Sequence, residues 1–195
     1  MEADWEIEIA PDAPVIDGGW DGYVDLRGIP GRIDELNEPA RLPGLRATLL
    51  RLNAGGSPVW TAKCDVWALE AFDPDEMEAS REEDRAAQAC YLDLIPADPN
   101  VSLDGMAEWC RRLCLELRRR ALRQSRVDAV IRRAVVGESD AGCLGVTAYV
   151  SACGPSAQSA SKVLSAAVSV LADAVLATGP AVPQASKYNR DIVGE

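Results

Sequence analysis

The chain has 195 residues, enough for one domain of ordinary size or two small ones. An apolar fraction of 48% and a charged fraction of 26% are typical of a globular protein. The net charge of −11 disfavours binding to nucleic acid or to an anionic membrane. The acidic N-terminus has no apolar signal segment, and no run of about 18 apolar residues occurs. We therefore expect a cytoplasmic protein without a membrane span.

The chain contains no histidine, which removes the Ser-His and Cys-His nucleophiles and the commonest general base near neutral pH. The six cysteines include no Cys-x-x-Cys pair, so a metal site would need unusual ligand spacing. Cys110 and Cys114 share one helix face, yet buried small apolar residues are the favoured interpretation of all six. Gly-rich phosphate loops are also missing from the sequence. These observations predict no metal or other cofactor and favour a protein that is not an enzyme.

The first part of the chain predicts two strands, a helix and a third strand. Apolar and acidic residues alternate over Asp4–Ala10, which is typical of a strand with one wet face. Residues Trp20–Leu26 predict a second strand, and Leu45–Leu52 is the secure part of a helix that begins near Asn37. Val59–Leu69 predicts a further strand because it is rich in valine and tryptophan.

The segment Glu70–Asp84 differs in composition, with eight carboxylates and one arginine. We interpret it as a solvated acidic connector with a short helix near Pro74–Ser80. It predicts an N-terminal half over 1–70, a connector over 71–87, a C-terminal half over 88–178 and a tail over 179–195. One continuous domain is the alternative that the sequence leaves open.

The second half carries the clearest periodicities of the chain. Met106, Cys110, Leu113 and Leu117 recur at helical spacing and predict a buried stripe. The predicted elements are a strand Gln88–Ile95, a helix Leu103–Arg123, a strand Arg126–Val136, a loop Gly137–Gly142, a strand Leu144–Cys153, and a helix that starts at Gly154–Ser156 and ends near Thr178. The remaining tail, Ala181–Glu195, shows no periodicity and is expected to be mobile or to follow the surface.

Two stretches of the chain match in order at a constant offset of 68 residues. Gly22–Leu26 resembles Cys90–Leu94, and a serine that precedes a strand follows each of them at the same spacing. The constant offset favours an internal duplication of a β-α-β unit, with chance similarity between two amphipathic units as the alternative. The second unit extends to β-α-β-β-α, five of the six elements of a ferredoxin-like fold. We therefore predict an α+β, two-layer fold: a mainly antiparallel sheet with helices on one face, a ferredoxin-like βαββα unit in the C-terminal half and a related βαβ unit in the N-terminal half.

Nine of the chain's seventeen arginines fall within 23 residues, where only Glu116 and Asp128 oppose them. This cluster is the first candidate site for an anion or a partner. Its proposed members are Arg111, Arg112, Arg118, Arg119, Arg132 and Arg133. Guanidinium groups suit phosphate or carboxylate. The favoured interpretation is nevertheless plain solvation or internal neutralisation by the acidic connector and the N-terminal strand.

Asp25 and Asp93 form the second candidate site, because the duplication would place them at equivalent strand positions. Two close carboxylates can bind a divalent cation or share a proton. Strand alternation puts Tyr91 on the same face as Asp93. The favoured interpretation is the polar outer face of a half-exposed sheet. Thr147 and Tyr149 belong to another polar strand face, which would line a pocket or meet water or another subunit.

The leading hypothesis for function is a non-catalytic module that binds a protein partner or self-associates, through a sheet face or the alanine-rich last helix. The first alternative is a small-anion-binding protein or enzyme, using Arg132 or Arg133 with Asp25 or Asp93 in a cleft between the halves. The second alternative is binding of an RNA backbone by the arginine helix, which the net charge and the lack of interleaved aromatic residues make unlikely.

Overall fold

The computed structural model describes residues 1–137 and 139–180, with side chains described for residues 1–137 and 143–180. The strands are β1 (Glu2–Ile7), β2 (Ile16–Asp17), β3 (Val59–Leu69), β4 (Ala86–Pro96), β5 (Ser125–Val136) and β6 (Ser139–Gly154). The α-helices are α1 (Glu38–Arg41), α2 (Pro43–Leu52), α3 (Leu103–Arg118) and α4 (Ala157–Thr178). Short 3₁₀ helices cover Pro30–Glu35 and Pro74–Met77.

One open sheet joins strands from both ends of the chain, in the order β1-β5-β6-β4-β3. β5, β6, β4 and β3 are antiparallel neighbours, whereas β1 and the short β2 lie parallel to β5 on the same side. This is a mixed α+β fold with a mostly antiparallel sheet. The shared sheet ties β1 and β3, from the first part of the chain, to the strands that follow the connector.

Helices α2, α3 and α4 cover one face of this sheet, and the main core lies between the two layers. Strand alternation supplies the sheet side of the core, as in Leu92 of β4, Ala129 of β5 and Ala148 of β6, all fully buried. The helical stripe of α3 supplies the opposite side and includes Trp109 and Leu113. The other sheet face has no helical layer among the described residues, so its side chains form the surface discussed below.

The predicted ends of the last two helices have identifiable caps. The Ser102 hydroxyl accepts a hydrogen bond from the backbone N–H of Gly105 at 3.2 Å, and Ser156 does the same for Ser159 at 3.2 Å. At the other end of α4, the Arg112 guanidinium donates to the carbonyl oxygen of Gly179 at 2.9 Å. This arginine therefore satisfies a helix C-terminus.

Helix α4 is long and apolar enough to cross a membrane by length and composition alone, with a mean hydropathy of 1.6. In this structure it packs against β6 and β4 and between α2 and α3. These contacts bury one broad face of the helix, and Lys162, Ala166 and Ser169 remain exposed on the other. Its small residues permit the close approach of its neighbours, and Ala160, Ala167 and Ala174 are fully buried by them.

The strand Val59–Leu69 is confirmed, as are the helices and strands predicted for the second half, with shifts at their ends. Helix α3 ends at Arg118 rather than Arg123, because the apolar stripe ends at Leu117 and the chain must turn back to β5. Gln124, just before β5, completes that turn with a left-handed φ of 60°. β1 begins and ends earlier than predicted, and β6 begins at Ser139 inside the predicted loop.

The predicted strand Trp20–Leu26 is wrong. Gly22 has a φ of +91°, and the N–H of Tyr23 donates to the Trp20 carbonyl oxygen at 3.0 Å, which makes a turn. The apolar side chains that suggested a strand are used for packing instead: Leu26 reaches the main core and Tyr23 packs on Trp60. The pairing side of β5 is taken by β1 and β2, and β2 lies between the two predicted strands Asp4–Ala10 and Trp20–Leu26.

Neither the internal duplication nor the ferredoxin-like unit is confirmed as such. Cys90–Leu94 lies in the middle of β4, but its predicted counterpart Gly22–Leu26 forms no strand. The shared Tyr-x-Asp pattern therefore occurs in two different backbone conformations. The predicted tail, Ala181–Glu195, lies outside the described residues.

Two small apolar clusters cover the ends of the face opposite the helices. At one end, Ile16 packs with Trp60 and Ile95. At the other end, Met77 of the acidic connector packs on Ala87 and Cys153. The connector is fixed to the sheet by Asp84, which accepts hydrogen bonds from the Gln124 side chain at 2.7 Å and the Ser80 N–H at 2.9 Å. Between these two covers the sheet face stays accessible.

The contact between α2 and α4 gives the first prediction. A Cβ added at Gly44 would lie 2.5 Å from the Ser165 carbonyl oxygen, whereas one added at Gly31 would meet nothing within 4 Å. Gly44→Ala should therefore push the helices apart and lower the free energy of unfolding by about 1–3 kcal/mol. Gly31→Ala should be neutral or slightly stabilising. Urea unfolding of both variants checks this, and equal stabilities would contradict the close helix contact.

Candidate functional site

A row of aromatic rings crosses the open sheet face. Tyr91 of β4 pairs in register with Tyr149 of β6, and Trp67 of β3 lies beside Tyr91. The ring centroids of Trp67 and Tyr91, and those of Tyr91 and Tyr149, are each 6.2 Å apart with interplanar angles of 52°. Such tilted pairs are favourable contacts for aromatic rings. The rings form a rigid platform on three adjacent strands.

Beside this row, a cavity of about 210 Å³ lies on the sheet between Tyr91 and the segment that precedes β2. The cavity is lined by Pro14, Val15, Ile16, Lys63, Tyr91, Asp93, Arg132, Thr147 and Tyr149. One negative and two positive side chains therefore share a small pocket with two phenols.

The polar groups of the pocket form a continuous hydrogen-bonded chain. The Arg132 guanidinium donates to Glu8 Oε2 at 2.6 Å on one side and, through Nη1, to Thr147 Oγ1 at 3.2 Å and Tyr149 Oη at 3.0 Å on the other. The Thr147 hydroxyl in turn donates to Asp93 Oδ1 at 2.6 Å. Because the Thr147 hydroxyl and the Arg132 guanidinium each donate to a defined acceptor, both side chains are fixed in orientation. This network holds the Asp93 carboxylate in one position.

Asp93 is the buried carboxylate of the site, with 7% of its surface exposed. Burial raises the pKa of its carboxyl group above the ordinary value, while the hydrogen bond from Thr147 and the charges of Arg132 and Lys63 act in the opposite direction. Among the described residues, no cation forms a salt bridge with it, since Arg132 pairs with Glu8 instead. Its Oδ2 has no protein donor among those residues and opens into the cavity.

Three further polar groups face the same space. The Tyr149 oxygen accepts a bond from Arg132, which leaves its own proton for another acceptor. Burial and the nearby carboxylates of Asp93 and Asp65 raise the pKa of Tyr91 to about 12, so this phenol keeps its proton at neutral pH. The Lys63 side chain also lines this pocket, and its ammonium lies 5.1 Å from the centre of the Trp20 ring, which lines a neighbouring cavity. The pocket thus offers one negative acceptor, two phenolic donors and one ammonium.

Only some residues of the predicted sites meet in this pocket. Arg132 and Asp93 converge, although they lie on different strands. Arg133 follows Arg132 on β5, so strand alternation places it on the opposite side of the sheet, where it is exposed. Asp25 is held elsewhere by Arg27, whose guanidinium lies 2.7 Å from its carboxylate and 4.2 Å from the centre of the Trp60 ring. The two predicted aspartates therefore do not line one cavity.

The four arginines predicted on α3 are engaged locally. Arg111 and Arg112 form salt bridges with Glu108, and Arg119 forms one with Glu116. The remaining one, Arg118, donates to the carbonyl oxygen of Ala3 in β1 at 2.9 Å. The neutralising carboxylates thus come from the same helix, whereas Arg81 of the acidic connector pairs with the connector's own Asp73 and Asp75.

A second cavity of about 260 Å³ lies at the outer edge of β3, lined in part by Trp20, Tyr23 and Cys64. It is slightly larger and shares Lys63 with the Asp93 pocket. Of its two acidic residues, Glu35 is exposed and paired with Arg32 at 2.8 Å, and Glu38 is half-buried. Convergent, buried polar groups distinguish a binding site better than volume does. On this criterion the Asp93 pocket is the candidate site.

Sequence reasoning missed several residues of this pocket. Lys63 lies within an irregularity in β3, where the pairing register shifts between Thr61 and Cys64, so alternation does not place it. Glu8 lies just beyond β1, within the predicted N-terminal strand that was expected to help neutralise the arginines, and it pairs with Arg132 at 2.6 Å, but the pattern did not indicate a role in a pocket. The alternating pattern of β6 did indicate Thr147 and Tyr149 as a polar face. Only the position of the helices shows which face of the sheet stays open.

No protein-family model, curated protein or solved structure matches this chain. Within the described residues, no group of three or more cysteine or acidic side chains is placed to hold a metal ion. The chemistry of the site therefore has to be judged from its own side chains.

Burial of Asp93 predicts an unusual gain in stability on removal of its charge. The folded state holds the Asp93 proton to a higher pH than the unfolded chain, so stability decreases as pH rises through that interval. Asp93→Asn should therefore stabilise the protein at neutral pH, on the order of 1 kcal/mol. The gain should vanish below the ordinary aspartate value of 3.8, where both states are protonated.

Asp25→Asn is the matched control, with the opposite sign. The hydrogen bond from Arg27 lowers the pKa of Asp25, so its contribution to stability is present above the ordinary pKa and disappears as pH falls. This variant should be slightly less stable than the parent at neutral pH, since the pair is exposed. Urea unfolding between acidic and neutral pH measures both effects. A loss of stability in Asp93→Asn at neutral pH would show that the carboxylate is fully compensated.

Proposed function

We propose that the protein binds a small anion in the Asp93 pocket, with Lys63 and Arg132 as the groups that attract it. The observation that carries this proposal is the convergence of Arg132 and Asp93, from separate strands, on one cavity that also contains Lys63 and two tyrosines. Small-ligand sites typically combine an enclosed space with a few fixed polar groups. The hydrogen-bonded chain from Glu8 to Asp93 supplies that fixed geometry.

The unfavourable effect of the buried Asp93 carboxylate on folding also supports a ligand site. A buried carboxylate without a cationic partner opposes folding. Such a group persists in a protein when it serves a function, and perturbed titratable groups in clefts mark functional sites. Asp93 fits this description, because a neutral residue at its position would fill the same place on β4 without the penalty.

Neighbouring arginines on β5 give a matched test. Arg132→Met removes the guanidinium that lies in the pocket, whereas Arg133→Met removes one on the opposite side of the sheet. Nuclear magnetic resonance titration with acetate, succinate and inorganic phosphate should shift amide signals around Tyr91 and Tyr149 in the parent protein. Arg132→Met should weaken that binding by about tenfold or more, as expected for a charge-assisted hydrogen bond, and Arg133→Met should leave it unchanged.

Lys63→Gln provides a second variant in case Arg132→Met unfolds, which circular dichroism would reveal. Its side chain sits at the pocket rim and outside the core, so the fold should persist. It should weaken anion binding in the same way. Absence of binding by all three anions, or equal loss in Arg132→Met and Arg133→Met, would contradict the proposed site.

A protein partner or a second copy of the chain is the second candidate. Ile7 at the end of β1 and Val15 beside β2 are 47% and 51% exposed, so apolar side chains lie next to a sheet edge. The acidic residues of β1 disfavour pairing of that edge with itself. Sedimentation over a dilution series tests self-association: a dimer dispersed by Ile7→Glu would support it, and a monomer at every concentration would rule it out. RNA binding is less favoured, because the chain carries a net charge of −11.

As to the fold, we also propose that β4-α3-β5-β6-α4 is a ferredoxin-like unit. The neighbour order β5-β6-β4, with β6 antiparallel to both other strands, supports it. β3 lies antiparallel to β4 at the place of the missing fourth strand, although it precedes the unit in the chain. In such a two-layer arrangement the sheet face without helices is the natural place for a ligand.

A further inference from the structure

The charge distribution within the Asp93 pocket restricts the chemical class of the ligand further than the requirement for an anion does. Asp93 Oδ2 opens into the cavity without a protein donor among the described residues. A simple anion placed there would meet a negative charge of the same sign. A ligand that brings its own positive charge would remove this repulsion and supply the missing donor.

The surroundings of Asp93 suit a cationic group in particular. Tyr91 of β4 and Tyr149 of β6 are directly opposite each other on paired strands, with their ring centroids 6.2 Å apart. Both line the same cavity as Asp93. The Arg132 guanidinium already lies over the Tyr149 ring, 5.6 Å from its centre, so Tyr91 is the aromatic group offered to an ammonium, and such attraction increases where water is excluded. The Arg132 guanidinium is already engaged with Glu8 and Thr147, so it cannot swing to neutralise Asp93 without losing those bonds.

Positive charge lies at the margins of the same cavity. Lys63 comes from β3 and Arg132 from β5, so the two cationic side chains approach from strands that flank the central pair β4 and β6. A ligand with an ammonium at the centre and a carboxylate toward Lys63 would meet opposite charges at both ends. The cavity of about 210 Å³ limits such a molecule to a small one.

The geometry points to a small zwitterion, a molecule of the amino-acid class, as the ligand of this pocket: its ammonium group binds Asp93 beside Tyr91 and its carboxylate binds Lys63. This inference rests on the proposed anion site and deepens it. Binding pairs the buried carboxylate with a cation and therefore stabilises the folded protein. No covalent change in the ligand is required.

Isothermal titration calorimetry with matched probes tests the inference. The zwitterions are glycine, β-alanine and 4-aminobutanoate, and each is compared with its amine-free acid: acetate, propanoate or butanoate. Methylamine, ethylamine and propylamine are the acid-free probes. At least one zwitterion should bind about tenfold tighter than its matched acid and its matched amine, the difference expected for one charge-assisted hydrogen bond.

Variants separate the two ends of the ligand. Asp93→Asn should remove the advantage of the zwitterion over the acid, so that both bind with affinities within about threefold of each other, while Lys63→Gln should weaken the acid and the zwitterion alike. Asp25→Asn lies outside the cavity and should bind as the parent does. Because Asp93→Asn is expected to be more stable than the parent, loss of folding does not confuse the result.

The outcomes distinguish the inference from the function on which it rests. Equal affinity for the zwitterion and the acid in the parent protein would overturn the zwitterion and leave anion binding in place. An amine that binds as tightly as the zwitterion would overturn it as well. If no probe binds, both the inference and the proposed anion site are wrong.

Discussion

Burial of the Asp93 carboxylate sets the chemistry of the open sheet face. The group lies on a central strand, where neighbouring strands prevent it from turning away, and its one protein donor among the described residues is Thr147. Thr147 is itself held by Arg132, which Glu8 anchors from beyond β1. These four side chains thus come from four separate parts of the chain. Only the folded sheet assembles them.

The asymmetry of the two layers makes this possible. Helices α2, α3 and α4 bury one face of the sheet, and the large apolar core lies between these two layers. The opposite face is then released from packing and carries tyrosines, charged groups and a cavity. Its two ends are covered by chain segments with small apolar clusters, which leaves the middle accessible. The fold therefore separates stability on one side of the sheet from binding chemistry on the other.

Much of the secondary structure follows from residue patterns. The alternation of β6 and the helical stripe of α3 are long and regular, so both elements were predictable with errors only at their ends. The strand prediction for Trp20–Leu26 was wrong because its apolar residues pack on the two apolar clusters, while its backbone pairs with no described strand. Alternation also separates Arg132 from Arg133, but which of them faces a pocket depends on where the helices dock. Lys63 was unpredictable, since an irregularity in β3 breaks the alternation there.

The ionisation of Asp93 is the most direct test of this arrangement. Carbon-13 chemical shifts of its carboxyl carbon, followed through a pH titration of the full chain, give its pKa without any ligand or variant. A carboxylate that is buried and lacks a cation should titrate above the ordinary value of 3.8. A pKa at or below that value would mean that Asp93 is solvated or paired, and the pocket would lose the group on which its proposed function depends.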